Sequence, residues 1–317
     1  MAFVSVVTPC YNEEDNVDEL HARIAAVFAT LPEHDYEHLL IDNASVDRTE
    51  QRIRALAAAD PHVRGIFNAR NFGHIRSPFH GILQARGAAV ICMASDLQDP
   101  PELIAQFLAE WGRGAKVVIG VKKQSAESPV FWLLRSTYYK LVRTMADVEL
   151  IEHFTGFGLY DRAVIEILRG MNDPYPYVRG LISEIGFPAV RIPYDQPMRK
   201  RGLTKNNFYT LWDLAMLGIT THTKVPLRVA TIGGFLAAAL SLGVAIGYLV
   251  AKLVWWDEFQ LGSAPLLIGM FFLGAVQLLT LGILGEYVGA VLTQVRGLPH
   301  VIERGRVGYP QDDGTAS

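Results

Sequence analysis

Two long apolar segments near the end of the chain constrain its fold more than any other feature. The first covers residues 229–254 and carries one charge, Lys252, and the second covers residues 264–292 and carries only Glu286. Each is longer than the roughly 20 residues that a helix needs to cross the hydrocarbon core of a bilayer. We therefore predict a transmembrane hairpin with helices over residues 228–254 and 264–292. A buried hairpin inside a soluble domain is the alternative.

The charges around this hairpin indicate its orientation. The connecting residues 255–263 include two tryptophans and two acidic residues but no Arg or Lys. Cytoplasmic flanks are enriched in Arg and Lys, so we place both termini in the cytoplasm and the tryptophan turn outside. The sequence thus predicts a multi-pass protein of the cytoplasmic (inner) membrane. The bases before the hairpin are Arg199, Lys200, Arg201, Lys205, Lys224 and Arg228, and those after it are Arg296, Arg304 and Arg306.

The segments on either side of the hairpin complete this part of the chain. Residues 206–227 place apolar side chains on one helix side, with Trp212 suited to the headgroup level, which predicts an interfacial amphipathic helix. Residues 293–317 are assigned to a cytoplasmic tail. Two glycine pairs with four-residue spacing allow close helix contacts and hence a homo-oligomer, although chance explains the spacing nearly as well. These pairs are Gly243 with Gly247 and Gly285 with Gly289.

Residues 1–205 alternate between short apolar runs and helical patterns. This alternation predicts an α/β domain with a doubly wound, mostly parallel sheet and helices on both faces. The net charge of −3 argues against nucleic acid as a partner, and two cysteines, Cys10 and Cys92, are too few for a disulfide framework. The predicted strands cover residues 3–8, 38–41, 63–67, 90–93, 117–121 and 189–194.

Polar residues follow four of the predicted strands, namely Pro9–Glu13, Asp42, Arg70–Gly73 and Asp96–Gln98. Parallel strands end at one edge of a sheet, so these residues should meet in the crevice where open α/β sheets bind ligands. The first strand is not followed by Gly-x-Gly-x-x-Gly, and the chain has no Walker lysine loop. A nucleotide bound here would therefore be held by side chains and a metal.

Asp96 and Gln98 are the candidate metal ligands. Their two-residue spacing in an extended turn points both side chains to one side, where hard oxygens can share Mg²⁺ or Mn²⁺. The alternative is an acidic helix start that complements the helix dipole, because Pro100 and Pro101 open a helical pattern. Both interpretations are compatible with the local sequence.

Two basic segments could face an anionic acceptor. The first is a flap over residues 122–151, whose helical part carries Arg135, Lys140 and Arg143; a solvated basic face is the alternative. The second is Arg199–Lys205, for which membrane topology and anionic lipid offer an alternative. This second segment lies more than about twenty residues before the hairpin, farther than orientation requires.

Several motifs, taken in order, resemble the family 2 glycosyltransferases with a GT-A fold. The basic motif and the hairpin narrow the resemblance to the polyprenyl-phosphate glycosyltransferases, a group that includes dolichol-phosphate mannose synthase and bacterial undecaprenyl-phosphate glucosyl- and aminoarabinosyl-transferases. The motifs are Pro9-x-Tyr11-Asn12-Glu13, Asp42-x-x-Ser45-x-Asp47, Asn71-x-Gly73, Asp96-Leu97-Gln98-Asp99-Pro100-Pro101-Glu102 and Arg199-x-x-Gly202-x-Thr204-Lys205.

The resemblance implies inverting transfer of a sugar from a nucleotide-sugar, with uridine preferred, to the phosphate of a membrane polyprenyl phosphate. It assigns nucleotide-sugar binding to Pro9, Tyr11, Glu13, Asp42 and Asn71. It assigns a divalent Mg²⁺ or Mn²⁺ to Asp96 and Gln98, and the acceptor phosphate to Arg135, Ser136 and Arg201. Asp96, Arg199 and Lys205 are the implied catalytic residues.

Two positions depart from the family pattern. Ala94 stands where most members have an Asp at the metal site, and Gly156 stands where many bacterial members have an Asp proposed as base. The second loss is tolerable, because a phosphate monoester is already mostly ionised at neutral pH. Two other functions stay open: a processive polysaccharide synthase and a catalytically inactive membrane scaffold of the same fold.

Overall fold

The computed structural model describes residues 1–122, 154–171, 173, 176–196, 225–255, 263–295 and 297–309. The chain divides into two compact units. One unit consists of Met1–Phe131, Glu149–Lys205 and Gly297–Ser317, and the other consists of Trp132–Val148 and Asn206–Arg296. The predicted acceptor flap, apart from Lys122, and the predicted interfacial helix, apart from its last residues, lie outside the described residues.

The first unit is built on a mixed sheet of eight strands, β1 Ala2–Cys10, β2 His34–Asp42, β3 Val63–Asn68, β4 Ala89–Cys92, β5 Val117–Lys122, β6 Phe154–Asp161, β7 Ala189–Tyr194 and β8 Glu303–Val307. Their order in the sheet is β7-β5-β6-β4-β1-β2-β3-β8. Strand β1 pairs in parallel with β2 and β4, β2 with β3, and β5 with β7. The pairs β3–β8, β4–β6 and β5–β6 are antiparallel.

Helices cover both faces of this sheet, as the sequence predicts. They are α1 Val17–Ala29, α2 Thr49–Ala59, α3 Gly73–Gln84, α4 Leu103–Gly112, α5 Arg162–Gly170 and α6 Val178–Ile185. Side chains alternate along β4: Ala89 and Ile91 join the core that α1 and α4 cover, and Val90 joins the core that α3, α5 and α6 cover. This two-residue period is what a strand buried on both faces requires.

The α/β fold class is confirmed, but the sheet is less parallel than predicted. Strands β6 and β8, which the sequence analysis does not identify, run antiparallel to their neighbours. Strand β6 includes two glycines, Gly156 and Gly158, which weaken its strand pattern. Gly158 is required by packing, since a Cβ there would lie 2.6 Å from the carbonyl oxygen of Val118 in β5. Strand β8 alternates charged residues with Gly305 and Val307, as suits an edge strand.

The second unit contains two long helices, α7 Val225–Val254 and α8 Ser263–Val295, where the sequence predicts the membrane hairpin. Among the described residues, one segment of α8, Phe272–Gly289, is long and apolar enough to cross a membrane by length and composition. The apolar segment of α7, Val229–Val244, is shorter. The prediction of two spans therefore has support for one, and the other stays a prediction.

Candidate active site

Backbone strain marks one edge of the sheet, at the carboxyl ends of β1, β2 and β4. Three non-glycine residues in the described part of the chain have positive φ, namely Asn12 at 58°, Ala44 at 60° and Leu97 at 60°. Each lies in the loop after one of these strands. Residues other than glycine rarely adopt this backbone conformation, and backbone strain of this kind is concentrated at functional sites.

The loops after β1 and β2 are locked together by hydrogen bonds. The backbone N–H of Asn12 donates to Ser45 Oγ at 2.9 Å, and the N–H of Val46 donates to Asn12 Oδ1 at 2.9 Å. The N–H of Glu13 donates to Thr49 Oγ1 at 2.8 Å. These bonds join two motifs that the sequence analysis assigns to nucleotide binding, and they hold both loops at the same edge of the sheet.

Asp42 is a fully buried carboxylate at the end of β2, opposite Cys10 in the register with β1. Both of its oxygens accept from the N–H of Ser45 at 3.3 Å. Burial raises the pKa of Asp42, and burial followed by the nearby Asp42 raises the pKa of the Cys10 thiol. A buried carboxylate with long hydrogen bonds would be stabilised by a further hydroxyl donor.

The other predicted nucleotide-binding residues differ in exposure. Pro9 lies within β1 and lines a cavity described below, and Tyr11 follows the strand with 36% of its surface exposed. The Glu13 side chain accepts from Asn16 Nδ2 at 2.6 Å. The structure therefore brings Pro9, Tyr11, Glu13 and Asp42 to one edge of the sheet, as predicted.

Asn71 belongs to a network of amide side chains that the sequence analysis misses. Its Oδ1 accepts from Asn43 Nδ2 at 2.9 Å and from the N–H of Gly73 at 2.8 Å. Asn43 Oδ1 in turn accepts from Asn68 Nδ2 and from the N–H of Phe72. The Asn71 oxygen thus braces the loop after β3, and Asn43 at the centre of the network fixes that loop to the end of β2.

The loop after β4 holds the candidate metal ligands. Asp96 and Gln98 are half-buried, and Asp96 Oδ1 accepts from the N–H of Gln98 at 3.2 Å. Asp99, which is only 4% exposed, accepts from the N–H of Ala94 at 3.0 Å and from the Tyr194 hydroxyl at 2.9 Å. Burial raises the pKa of Asp99 to about 6, against the lowering effect of these two hydrogen bonds.

The donor set fits a hard divalent cation with few protein ligands. Within the described residues no group of three or more His, Cys, Asp or Glu could hold a metal ion. The carboxylate of Asp96 and the amide oxygen of Gln98 suit Mg²⁺ or Mn²⁺, which commonly takes one or two protein oxygens and completes its shell with phosphate and water. Asp99 braces the loop through both oxygens, so it does not stand in for a carboxylate at Ala94.

A cavity of about 270 Å³ opens beside this loop. Both departures from the family pattern, Ala94 and Gly156, line it. A Cβ on Gly156 would meet nothing within 4 Å, although its φ of +102° disfavours any other residue. The wall comes from Pro9, the first turns of α3, the end of β4, Asp99, the start of β6 and the residues Pro176–Arg179.

Arg179 is a cavity residue that the sequence analysis misses. Its Nη1 donates to the carbonyl oxygen of Phe154 at 3.2 Å, and its guanidinium lies 4.9 Å from the centre of the Tyr177 ring. Residues 173–177, which precede it, include two prolines, from which the sequence predicts only a rigid turn. The residues predicted to bind phosphate lie outside the described residues. They are four basic residues and one serine: Arg135, Ser136, Arg199, Arg201 and Lys205.

Comparisons with known proteins agree with this architecture. The sequence model of the family described as "Glycosyl transferase family 2" matches residues 5–168. An uncharacterized glycosyltransferase of Synechocystis is 32% identical over 297 residues and covers 93% of both chains. The SfII prophage-derived bactoprenol glucosyl transferase of Shigella flexneri is 33% identical over 311 residues, covering 97% of this chain and 99% of that one.

A solved structure supports the fold. Glucosyl-3-phosphoglycerate synthase from Mycobacterium tuberculosis, crystallised with Mn²⁺, uridine diphosphate and phosphoglyceric acid, superposes with a TM-score of 0.50 at 18% identity. The match covers 69% of this chain and 77% of that one. The sheet, the polar edge and these similarities define a glycosyltransferase with a GT-A-like fold. The chain belongs to glycosyltransferase family 2.

Proposed function

We propose that this protein transfers a sugar from a nucleotide-sugar to the phosphate of a membrane polyprenyl phosphate, with inversion at the anomeric carbon. The observation that carries the proposal is the 33% identity to a bactoprenol glucosyl transferase over 97% of this chain, which includes both long helices of the second unit. Polyprenyl phosphates reside in the bilayer, so an enzyme that uses one as acceptor needs a membrane-facing part.

The strained edge of the sheet supports donor binding in this proposal. We assign the nucleoside to Tyr11, Glu13 and Asp42, whose carboxylate lies at the end of β2. Asp96 and Gln98 would hold Mg²⁺ or Mn²⁺, which would supply positive charge to neutralise the diphosphate leaving group. A uridine nucleotide is preferred to a guanosine nucleotide because of the resemblance to bacterial undecaprenyl-phosphate transferases.

The acceptor needs no general base in this scheme. The second pKa of a phosphate monoester is near 6, so the acceptor is mostly a dianion at pH 7 and can attack directly. Gly156 is compatible with this chemistry, because positioning and charge neutralisation then supply the rate enhancement. We assign the acceptor phosphate to Arg135, Ser136 and Arg201, and the phosphates of both substrates to Arg199 and Lys205.

The second unit has the surface expected of a membrane anchor. Large apolar side chains along both α7 and α8 are exposed, including Phe235 at 73%, Leu240 at 67%, Leu278 at 73% and Leu281 at 61%. Exposed apolar surface of this extent marks contact with a membrane or another protein. We therefore propose that both helices span the inner membrane, with the first unit and both termini in the cytoplasm.

The decisive experiment incubates the purified full chain with undecaprenyl phosphate, Mg²⁺ or Mn²⁺ and a panel of UDP- and GDP-sugars. The expected product is undecaprenyl phosphate carrying one hexose, identified by mass. A polymeric product would instead indicate a processive synthase. Folded protein without turnover of any donor would favour an inactive scaffold, so either result would overturn the proposal.

A further inference from the structure

Arg179, the second residue of α6, places a positive charge in the wall of the cavity. One donor, Nη1, bonds the carbonyl oxygen of Phe154 at 3.2 Å, and the Tyr177 ring centre lies 4.9 Å from the guanidinium carbon. These contacts orient the side chain but do not neutralise it. The guanidinium is therefore fixed in direction while its charge is retained.

The contrast with other arginines of the same unit is informative. Arg23 pairs with Glu102, Arg54 with Glu50, and Arg169 with Glu166. In the part of the chain that the structure describes, Arg179 has no such carboxylate partner. Its Nε and Nη2 donors likewise have no acceptor among the described residues.

Among the described residues that line the cavity, Asp99 carries the single carboxylate, because Ala94 and Gly156 contribute none. Both oxygens of Asp99 already accept hydrogen bonds, from the N–H of Ala94 and the hydroxyl of Tyr194, and neither is bonded to Arg179. An arginine whose planar donor fork is oriented and not neutralised can donate two parallel hydrogen bonds to two oxygens of one phosphate. Phosphate oxygens are also the groups that both substrates of the proposed reaction carry.

We propose that Arg179 binds phosphate oxygens of a substrate in this cavity. The inference rests on the proposed function, in which the donor carries a diphosphate and the acceptor a monophosphate. Both sources offer the same chemistry to the guanidinium, and the affinities for the two substrates distinguish them.

The test uses the full chain in detergent with two substitutions at this position. Arg179→Gln removes the charge, and Arg179→Lys retains the charge without the fork. Arg191→Gln and Arg191→Lys are matched controls, because Arg191 lies on the edge strand β7, is exposed and is not part of the cavity. Binding of UDP and GDP with Mg²⁺, the KM for undecaprenyl phosphate, and thermal unfolding are measured for each protein.

If Arg179 holds the donor diphosphate, both substitutions at this position should weaken nucleotide binding at least about tenfold. If it holds the acceptor, nucleotide binding should stay unchanged while the KM for undecaprenyl phosphate rises by at least about tenfold. The Arg191 variants should match the wild type in both cases. Affinities and kcat/KM that stay at the wild-type values for both Arg179 variants would overturn the inference, even if the unfolding temperature falls.

Failure of the proposed function has a different signature. If the wild type transfers no sugar, the binding of UDP, GDP and undecaprenyl phosphate is compared between the wild type and Arg179→Gln. Weaker binding of any of these by the variant would still support the phosphate site. Equal binding, or no binding by the wild type, would reject it.

Discussion

At the scale of single residues, the loop after β4 places two nearby carboxylates, Asp96 and Asp99, in different environments. Asp99 points inward and is held by Tyr194 and by the backbone of Ala94, whereas Asp96 is half-buried at the edge of the sheet. Leu97, which lies between them, adopts a φ of 60°. This arrangement lets Asp99 brace the loop and leaves Asp96 as the proposed metal ligand.

We predict that Asp96→Asn lowers the rate of sugar transfer at least about a hundredfold, because the diphosphate loses the anionic ligand of its metal. The unfolding temperature should change little, since Asp96 is not fully buried. The control is Asp18→Asn, which removes an exposed carboxylate of α1 that pairs with Arg52. It should keep full activity, because surface ion pairs contribute little to stability. Full transfer by Asp96→Asn, or by the wild type in EDTA, would contradict the metal role.

At the scale of elements, packing between neighbouring strands and helices determines two features that side-chain chemistry alone does not reveal. Strands β5 and β6 approach so closely that only glycine fits at position 158. Helix α1 and strand β2 bury two stacked histidines, His21 and His38, with ring centres 5.4 Å apart. Each feature yields a prediction about stability.

Gly158→Ala should destabilise the first unit by at least about 2 kcal/mol, because its Cβ would collide with backbone that cannot move freely. Gly112→Ala, at the end of α4, is the matched control. A Cβ there meets nothing within 4 Å, and alanine favours a helix by up to about 1 kcal/mol. Chemical denaturation of both variants measures the difference, and equal stability would show that β5 and β6 are not packed as described.

A hydrogen-bonded chain links the buried histidines to the surface. His21 Nε2 lies 3.2 Å from Asp60, His21 Nδ1 lies 3.2 Å from His38 Nδ1, and His38 Nε2 lies 3.1 Å from Thr8 Oγ1. Asp60 can only accept, so His21 donates to it from Nε2 and accepts from His38, while Thr8 donates to His38. This arrangement uses both imidazoles in their neutral form.

The pH dependence of stability follows from this chain. Burial, and secondarily His21, lowers the pKa of His38 to about 3, below the value of about 6.5 for an unfolded histidine. As the pH falls below 6.5, His38 therefore becomes protonated in the unfolded state but stays neutral in the folded state, which lowers the free energy of unfolding. We expect His38 to cost the wild type about 1 kcal/mol of unfolding free energy between pH 7 and pH 5.5.

This loss is measured by denaturant unfolding at several pH values, with His38→Asn as the comparison. The variant should lack the His38 contribution, so its stability should fall less over the same range. The other titratable groups near the two histidines are present in both proteins, so their contributions to the pH dependence cancel in the difference between the two curves. These groups are Asp18, Asp35, Asp60 and His62. Parallel curves for the two proteins would contradict the assignment.

At the scale of the whole molecule, the chain leaves the sheet for the long helices and then returns to it. Strand β8 pairs with the edge of β3, and its Glu303 contacts His80 at 2.6 Å while Arg304 pairs with Glu50. Hydrogen bonds from His80 and Arg306 outweigh burial and lower the pKa of Glu303 to about 2. Because β8 pairs with β3, it covers an edge of the sheet at which other chains could otherwise pair and aggregate.

We predict that ending the chain after Ile302 destabilises the first unit by at least about 2 kcal/mol and promotes aggregation, because β3 loses its partner strand. Ending the chain after Tyr309 keeps β8 and serves as the matched control. Thermal unfolding and size-exclusion chromatography compare the two proteins. A protein ending at Ile302 that is as stable and as monodisperse as the control would show that β8 contributes nothing.

The sequence by itself determined the class of fold, the order of most elements and the edge where the site lies. These depend on local periods of apolar residues and on polar residues at strand ends, which adjacent positions in the chain specify. The positions of Pro9, Tyr11, Glu13, Asp42, Asp96 and Gln98 at one edge follow from that order once the strands are parallel.

Only the tertiary structure decided the antiparallel strands β6 and β8, the inward turn of Asp99 and the place of Arg179 in the cavity. Strand β6 has one glycine, Gly158, where β5 packs closely against it, and a second, Gly156, with a positive φ, so its own residues do not form a clear strand pattern. Arg179 and Asp99 line the same cavity only because α6 and the loop after β4 meet there. Such pairings depend on contacts between residues far apart in the chain, which no local pattern encodes.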